Sequence, residues 1–116
     1  MTCVSLTQCS QFTATHGHGG ALAEAPHAHT FCYEATFYGP LNQEGYLIDF
    51  RVVQAFLARE INARLNGADL NTLFKNPTTE NIAVWIFNTV KKQFPQLRSV
   101  KLAEESDRWI TYQGEA

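Results

Sequence analysis

The sequence predicts an α+β domain in which two helices cover one face of a four-stranded antiparallel sheet. Three observations carry that expectation. Apolar and polar residues alternate over 4–16 and again over 27–38, the period-two pattern of half-buried strands. Two later stretches carry apolar residues at helical spacing, and two short strand patterns close the chain. The order is therefore ββααββ, with the helices layered on one side of the sheet. With 116 residues, 45 % of them hydrophobic and 12 % aromatic, the chain supports one domain over 1–116 with its own core.

In the first strand Val4, Leu6, Phe12, Ala14 and His16 share one parity, and Thr7, Cys9, Gln11, Thr13 and Thr15 take the other. A loop rich in glycine and small residues over 17–26 is expected to be irregular. In the second strand His27, His29, Phe31, Tyr33, Ala35 and Phe37 face one way, and Thr30, Cys32, Glu34, Thr36 and Tyr38 the other. The two read most simply as an antiparallel hairpin. Gly39-Pro40-Leu41-Asn42 ends it. Asp49 is placed to cap a first helix carrying Phe50, Val53, Phe56, Leu57, Ile61 and Leu65 on one face, stopped by Asn66-Gly67. Thr78 or Thr79 caps a second, through Ile82, Trp85, Ile86, Val90 and Phe94, closed by Pro95. Strands are expected over 97–104, with Val100, Leu102 and Glu104 on one face, and over 108–113.

Composition excludes several functions. A net charge of −2, with no dense Lys/Arg stretch, argues against nucleic-acid binding through phosphates. No apolar run approaches the roughly 20 residues needed to cross a bilayer, and the first residues lack the pattern of a signal peptide. Cys3, Cys9 and Cys32 are odd in number and without CxxC spacing, so reduced, buried thiols in a cytoplasmic protein are expected. There is no P-loop, no dinucleotide fingerprint and no nucleophile elbow. Charged residues are only 17 %, against roughly 25 % in an average soluble domain. Part of the surface is therefore expected to face other protein chains.

The four histidines lie within fourteen residues, and the rest of the chain has none. His27 and His29 leave one face of their strand, and antiparallel pairing brings His16 beside them. Three imidazoles on one surface with a fourth position open is the arrangement of a catalytic zinc. His18, in the glycine loop, is a further candidate.

At this point the sequence resembles the 6-pyruvoyl-tetrahydropterin synthase and 6-carboxytetrahydropterin synthase family, from Phe12 to Tyr112. Phe12-Thr13-Ala14-Thr15-His16 is similar to the first-strand motif, and His27-Ala28-His29 stands where the family has His-Gly-His. Gly45-Tyr46-Leu47-Ile48-Asp49-Phe50 and Asn76-Pro77-Thr78-Thr79-Glu80-Asn81 match the segments that open the two helices. The resemblance implies Zn²⁺ held by His16, His27 and His29, with His18 surplus. Glu104 stands where the family keeps the carboxylate that anchors the pterin ring, accepting two parallel hydrogen bonds from its N–H edge. Thr78, Thr79 and Glu80 are the other implied substrate contacts, Thr78 and Thr79 at a helix N-terminus whose free N–H groups can hold oxygens. The implied fold is the tunnelling fold, in which sheets join as a trimeric barrel. Two trimers commonly stack as a hexamer, with active sites between subunits.

The sequence also departs from the pattern. Where the synthases carry a catalytic cysteine it has Ala23 or its small neighbours. Where Leu-Asp-His is expected it reads Leu65-Asn66-Gly67. Glu24 precedes His27 by three residues, as in the branch associated with cleaving the dihydroneopterin side chain for folate synthesis. Glu24 is thus the first candidate base, with His18 and Asp69 behind it. The expected activity is a zinc-dependent lyase or aldolase-like step on a reduced pterin. The alternatives are a homologue that binds pterins without turnover and a scaffold that takes another heterocycle.

Overall fold

The computed structural model describes residues 1–18 and 24–115, the side chains of residues 18 and 24–27 lying outside the described set. Strands β1 (Cys3–His18) and β2 (Glu24–Pro40) form a long antiparallel hairpin. Helix α1 (Phe50–Leu57) runs through a π-helical turn, Ala58–Asn62, into the short α2 (Ala63–Leu65). After α3 (Leu70–Leu73) and the long α4 (Thr79–Gln93), strands β3 (Leu97–Ala103) and β4 (Ile110–Tyr112) complete a sheet of order β1-β2-β3-β4, antiparallel throughout.

The predicted parity holds. Phe12, Ala14, Phe31, Tyr33, Ala35, Phe37, Val100 and Leu102 are buried beneath Val53, Leu57, Ile61, Ile82, Ile86 and Val90 of the helices. Phe94 joins the layers, its ring edge-on to both Phe37 and Phe56 at 5.7 and 5.3 Å between centroids. Phe12 and Phe31, directly opposite in the ladder, stack at 5.0 Å. Packing of this kind lets a single sheet face carry most of the stabilising burial.

Several expectations change. The first strand continues to His18 and the second begins at Glu24, so the ladder enters the predicted loop, with a register shift between His16 and His18. Gly17 is secured there by Asn71, whose side chain accepts from the Gly17 N–H at 2.9 Å and donates to its carbonyl at 2.8 Å. The cysteines are not buried: Cys9 and Cys32 are exposed and Cys3 half-buried. Their parity places Cys9 and Cys32 on the sheet face that carries no helices, where burial is not available within one chain. Phe50 is 52 % exposed, because it occupies the first turn of α1, at the free end of the helix. β4 is shorter than expected, and β3 stops one residue before Glu104.

The segment after α2 was expected only as a loop. It lies along the outer edge of β1 instead: Gly67 N–H donates to Thr13 O at 2.6 Å, Thr15 N–H to Ala68 O at 2.9 Å, and Thr13 N–H to the Asn66 side-chain oxygen at 2.9 Å. Gly67 makes this approach at φ 76°, a conformation that favours glycine.

Candidate metal centre

Three elements deliver one cluster. In the β1–β2 ladder Ala14 pairs with His29 and His16 with His27, so His16 and His29 are diagonal neighbours on the helix-covered face. Their rings meet edge-on at 5.9 Å, and both stand edge-on to Phe31, at 5.2 and 6.3 Å. The β2–β3 ladder ends at Cys32 and Ala103. Glu104, the next residue, leaves the strand on the parity of Val100 and Leu102 and enters this face. Its Oε1 lies 2.7 Å from His16 Nε2 and 3.1 Å from His29 Nε2. His16, His29 and Glu104 each offer a ligand atom, all within 4.8 Å of one another.

A further segment, Asn76–Asn81, orients His16 from behind. Thr78 is the N-cap of α4, accepting from Asn81 N–H at 3.1 Å, while the Asn81 amide donates to Asn76 O at 2.9 Å. This double closure holds buried Pro77 with its carbonyl turned inward, where it accepts from His16 Nδ1 at 2.8 Å. A carbonyl can only accept, so Nδ1 carries the proton. Nε2 faces the Glu104 carboxylate at 2.7 Å, the contact of a hydrogen bond or of two groups that can share one ion. The donor set of imidazole nitrogens and a carboxylate, with one imidazole oriented from behind by a backbone carbonyl, fits a metal ion.

His16 is 1 % exposed, whereas the side chains of His29 and Glu104 are 23 % and 24 % exposed. The cluster is thus closed at the core and open on one side. It opens toward a cleft of about 210 Å³ lined by Thr79, Glu80, Glu104, Glu105, Arg108 and Ile110. A larger groove of about 490 Å³ runs beside α1, past Asp49, Arg51, Phe56 and Phe94. It is remote from the histidines, and none of its lining residues belongs to the metal-ligating cluster.

Of the residues singled out from the sequence, His16, His29 and Glu104 come together, and Thr79 and Glu80 share the adjoining cleft. Thr78 caps α4. Asp69 is the exposed N-cap of α3, its carboxylate accepting from Asn71 N–H at 3.0 Å. The side chains of His18, Glu24 and His27 lie outside the described residues. Glu105 and Arg108 were not anticipated. Glu105 reaches His29 Nδ1 at 3.7 Å, and its only signal in the sequence is its place beside Glu104.

Residues 5–115 match the family described as 6-pyruvoyl tetrahydropterin synthase. The chain belongs to that family. Among curated members it is 34 % identical over 86 residues to a dihydroneopterin monophosphate aldolase of Pyrococcus furiosus, covering 74 % of each chain. It is 29 % identical over 101 residues to a putative 6-carboxy-5,6,7,8-tetrahydropterin synthase of Archaeoglobus fulgidus, covering 86 % of this chain and 87 % of that one. The fold is that of the 6-pyruvoyl tetrahydropterin synthase of Caenorhabditis elegans, with a TM-score of 0.88 at 18 % identity over 99 % of this chain and 98 % of the other. A Plasmodium vivax family member gives 0.82 at 14 % identity over the whole of both chains. The tunnelling fold read from the sequence is therefore the fold of this family member, and the cluster at His16, His29 and Glu104 is built on it.

Proposed function

We propose that this chain is a zinc-dependent lyase that cleaves the side chain of a reduced pterin by an aldolase-type step. The observation that carries the proposal is the cluster of His16, His29 and Glu104 opening onto a cleft lined by Thr79 and Glu80. Kinship with the dihydroneopterin monophosphate aldolase favours dihydroneopterin or its phosphates as substrate. His16, His27 and His29 are assigned as metal ligands, and a bound ion would act as a Lewis acid toward the side-chain oxygens. Glu104 accepts from the pterin's paired N–H groups, with Thr79 and Glu80 beside the ring.

Glu24 is assigned as base. It takes the proton from the side-chain hydroxyl next to the scissile bond. The carbon–carbon bond then breaks, its electron pair passes into the ring's conjugated imine, and an aldehyde departs. Return of the proton to the remaining carbon gives a 6-hydroxymethyl pterin, so atoms and electrons balance. His18 and Asp69 are the reserve candidates. The exposed thiols suit the reducing cytoplasm. A cleft of about 210 Å³ is smaller than the roughly 300–1,000 Å³ of typical small-molecule sites. This supports a single 1–116 domain working as a trimer or hexamer in which a neighbouring chain completes the pocket.

A second reading, pterin binding without turnover, is favoured by Asn66. It stands where the family's Leu-Asp-His has its aspartate, and its side-chain oxygen accepts from Thr13 N–H instead. Incubating metal-loaded protein with dihydroneopterin, its monophosphate and its triphosphate separates the two. The lyase predicts a 6-hydroxymethyl pterin, formed at least about a hundredfold more slowly by Glu24→Gln. Ligand-induced thermal stabilisation with no product would support the binding protein. Equal rates in wild type and Glu24→Gln would remove Glu24 from its assigned role.

A further inference from the structure

His16 is held at its ring and at its backbone by different parts of the chain. The ring donates from Nδ1 to the Pro77 carbonyl at 2.8 Å, while residues 66–71 hold the outer edge of β1 on both sides of it. Before His16, Thr15 N–H donates to Ala68 O at 2.9 Å, and Thr15 pairs with Asp69 in parallel. After His16, the strand's partner is a side chain. Asn71 accepts from the Gly17 N–H at 2.9 Å and donates to the Gly17 carbonyl at 2.8 Å. A carboxamide offers an acceptor and a donor side by side, as a peptide group does, so Asn71 serves Gly17 as one residue of an added strand. Asp69 fixes where that amide stands, because its carboxylate caps α3 by accepting from the Asn71 N–H at 3.0 Å.

This clamp sits where the inner ladder is interrupted. β1 and β2 pair in continuous register from Cys3 to His16, and the register shifts between His16 and His18. Interruptions of this kind bend a strand and re-aim its side chains, so the ladder alone leaves the end beyond His16 loosely fixed. Gly17 is buried, and buried backbone groups need partners. Without Asn71 its N–H and carbonyl lose theirs, and the strand end shifts to find others. We infer that Asn71 is a positioning residue for the metal centre: by holding both backbone groups of Gly17, it keeps the His16 ring seated on Pro77 with Nε2 in the cluster. Asp69 then acts through Asn71. The role in ion binding rests on the reading that His16 is a metal ligand. Asn66 provides the comparison, since it grips the same edge at Thr13 N–H, at 2.9 Å, but within the regular part of the ladder.

The experiment reads the seat of His16 twice, once without an ion and once with Co²⁺ or Zn²⁺. In metal-free, ¹⁵N-labelled protein the His16 Nδ1 proton, bonded to Pro77 O, should give a slowly exchanging NMR signal. That signal should be lost or broadened in Asn71→Ala and kept in Asn66→Ala. In competition with a chelator, Asn71→Ala should bind the ion about tenfold more weakly than wild type, with altered Co²⁺ absorption. Asn66→Ala should stay within about threefold. Both should melt below wild type, because each leaves a backbone group of the edge without its partner. Asn71→Asp keeps the shape and the acceptor and loses the donor. It should shift both readings in the same direction by less, and it gives the answer if Asn71→Ala does not fold.

A proton signal and an ion affinity equal to wild type in the Asn71 variants overturn the inference. So does Asn66→Ala moving both readings as far as Asn71→Ala, which would make the effect one of general loosening. His16→Ala separates these outcomes from failure of the metal site itself. If it keeps wild-type ion affinity while Asn71→Ala disturbs the proton signal, the ion site is wrong and the seating of His16 by Asn71 stands. If His16→Ala loses the ion and the Asn71 variants do not, the positioning role alone is wrong.

Discussion

His16 shows how much a single side chain inherits from its surroundings. Strand parity turned it inward, and that much was legible from alternation alone. The proton on Nδ1 was not, because it depends on the carbonyl of Pro77, sixty-one positions away. Glu104 was legible as an inward residue by the same parity, and family resemblance gave it a pterin. Its contacts with two imidazoles come from where the β3 ladder stops. Tyr33 was legible only as core. It is 1 % exposed, and its hydroxyl donates to Asn62 Oδ1 at 2.7 Å while the Asn62 amide donates to Ser10 Oγ at the same distance. Burial pushes the Tyr33 phenol up to about 12, with the bonds to Ser10 and Asn62 pulling the other way. Between the unfolded value near 10 and about 12, the folded protein holds a proton that the unfolded chain has released. Stability from this group is therefore complete below pH 10 and falls as pH rises through that window. Urea titrations of Tyr33→Phe should show a loss of about 1–2 kcal/mol at pH 7, from the unpaired Asn62 oxygen. They should also show a shallower decline above pH 10 than wild type. Parallel declines would contradict the assignment.

At the scale of elements, both helix starts were readable because caps are local chemistry. Asp49 and Thr78 accept from the N–H groups of Arg51 and Asn81, as their types and positions predicted. The π-helical turn at Ala58–Asn62 was not readable, since the apolar spacing there is compatible with an unbroken α-helix. The edge docking of 66–69 was hidden for another reason: Asn66-Gly67 signals a stop, but not what the stopped chain pairs with. The cysteines misled because their type suggests burial, while strand parity, visible in the same sequence, puts Cys9 and Cys32 on the uncovered face. Thr78→Ala should cost about 1 kcal/mol of stability. It should also weaken ion binding, by loosening the turn that aims the Pro77 carbonyl at His16. Ion affinity equal to wild type in a destabilised Thr78→Ala would break that connection. Gly67→Ala should cost about 1–2 kcal/mol, because Cβ meets no atom there but the backbone sits at φ 76°. A melting temperature equal to wild type would show that the segment can dock in another conformation.

Across the whole molecule, the low charge of the sequence finds a physical counterpart. One sheet face carries no helix, β1 and β4 are the sheet's two edges, and Val4, Tyr38, Tyr46, Phe50, Val52 and Trp109 are at least about one-third exposed. Away from the Thr13–Thr15 stretch that residues 66–69 cover, edges of this kind invite pairing with another chain, and the assembly proposed above would supply further walls to the small cleft beside Glu104. Light scattering should give a mass of three or six chains, and a stable monomer at micromolar concentration would contradict the shared pocket. Product formation from dihydroneopterin by metal-stripped protein, before and after Zn²⁺ is restored, tests the metal-dependent cleavage most directly. A 6-hydroxymethyl pterin should appear with restored wild type, and neither with the stripped protein nor with His16→Ala under the same Zn²⁺. Intact substrate at full metal occupancy, or equal turnover by His16→Ala, would contradict it.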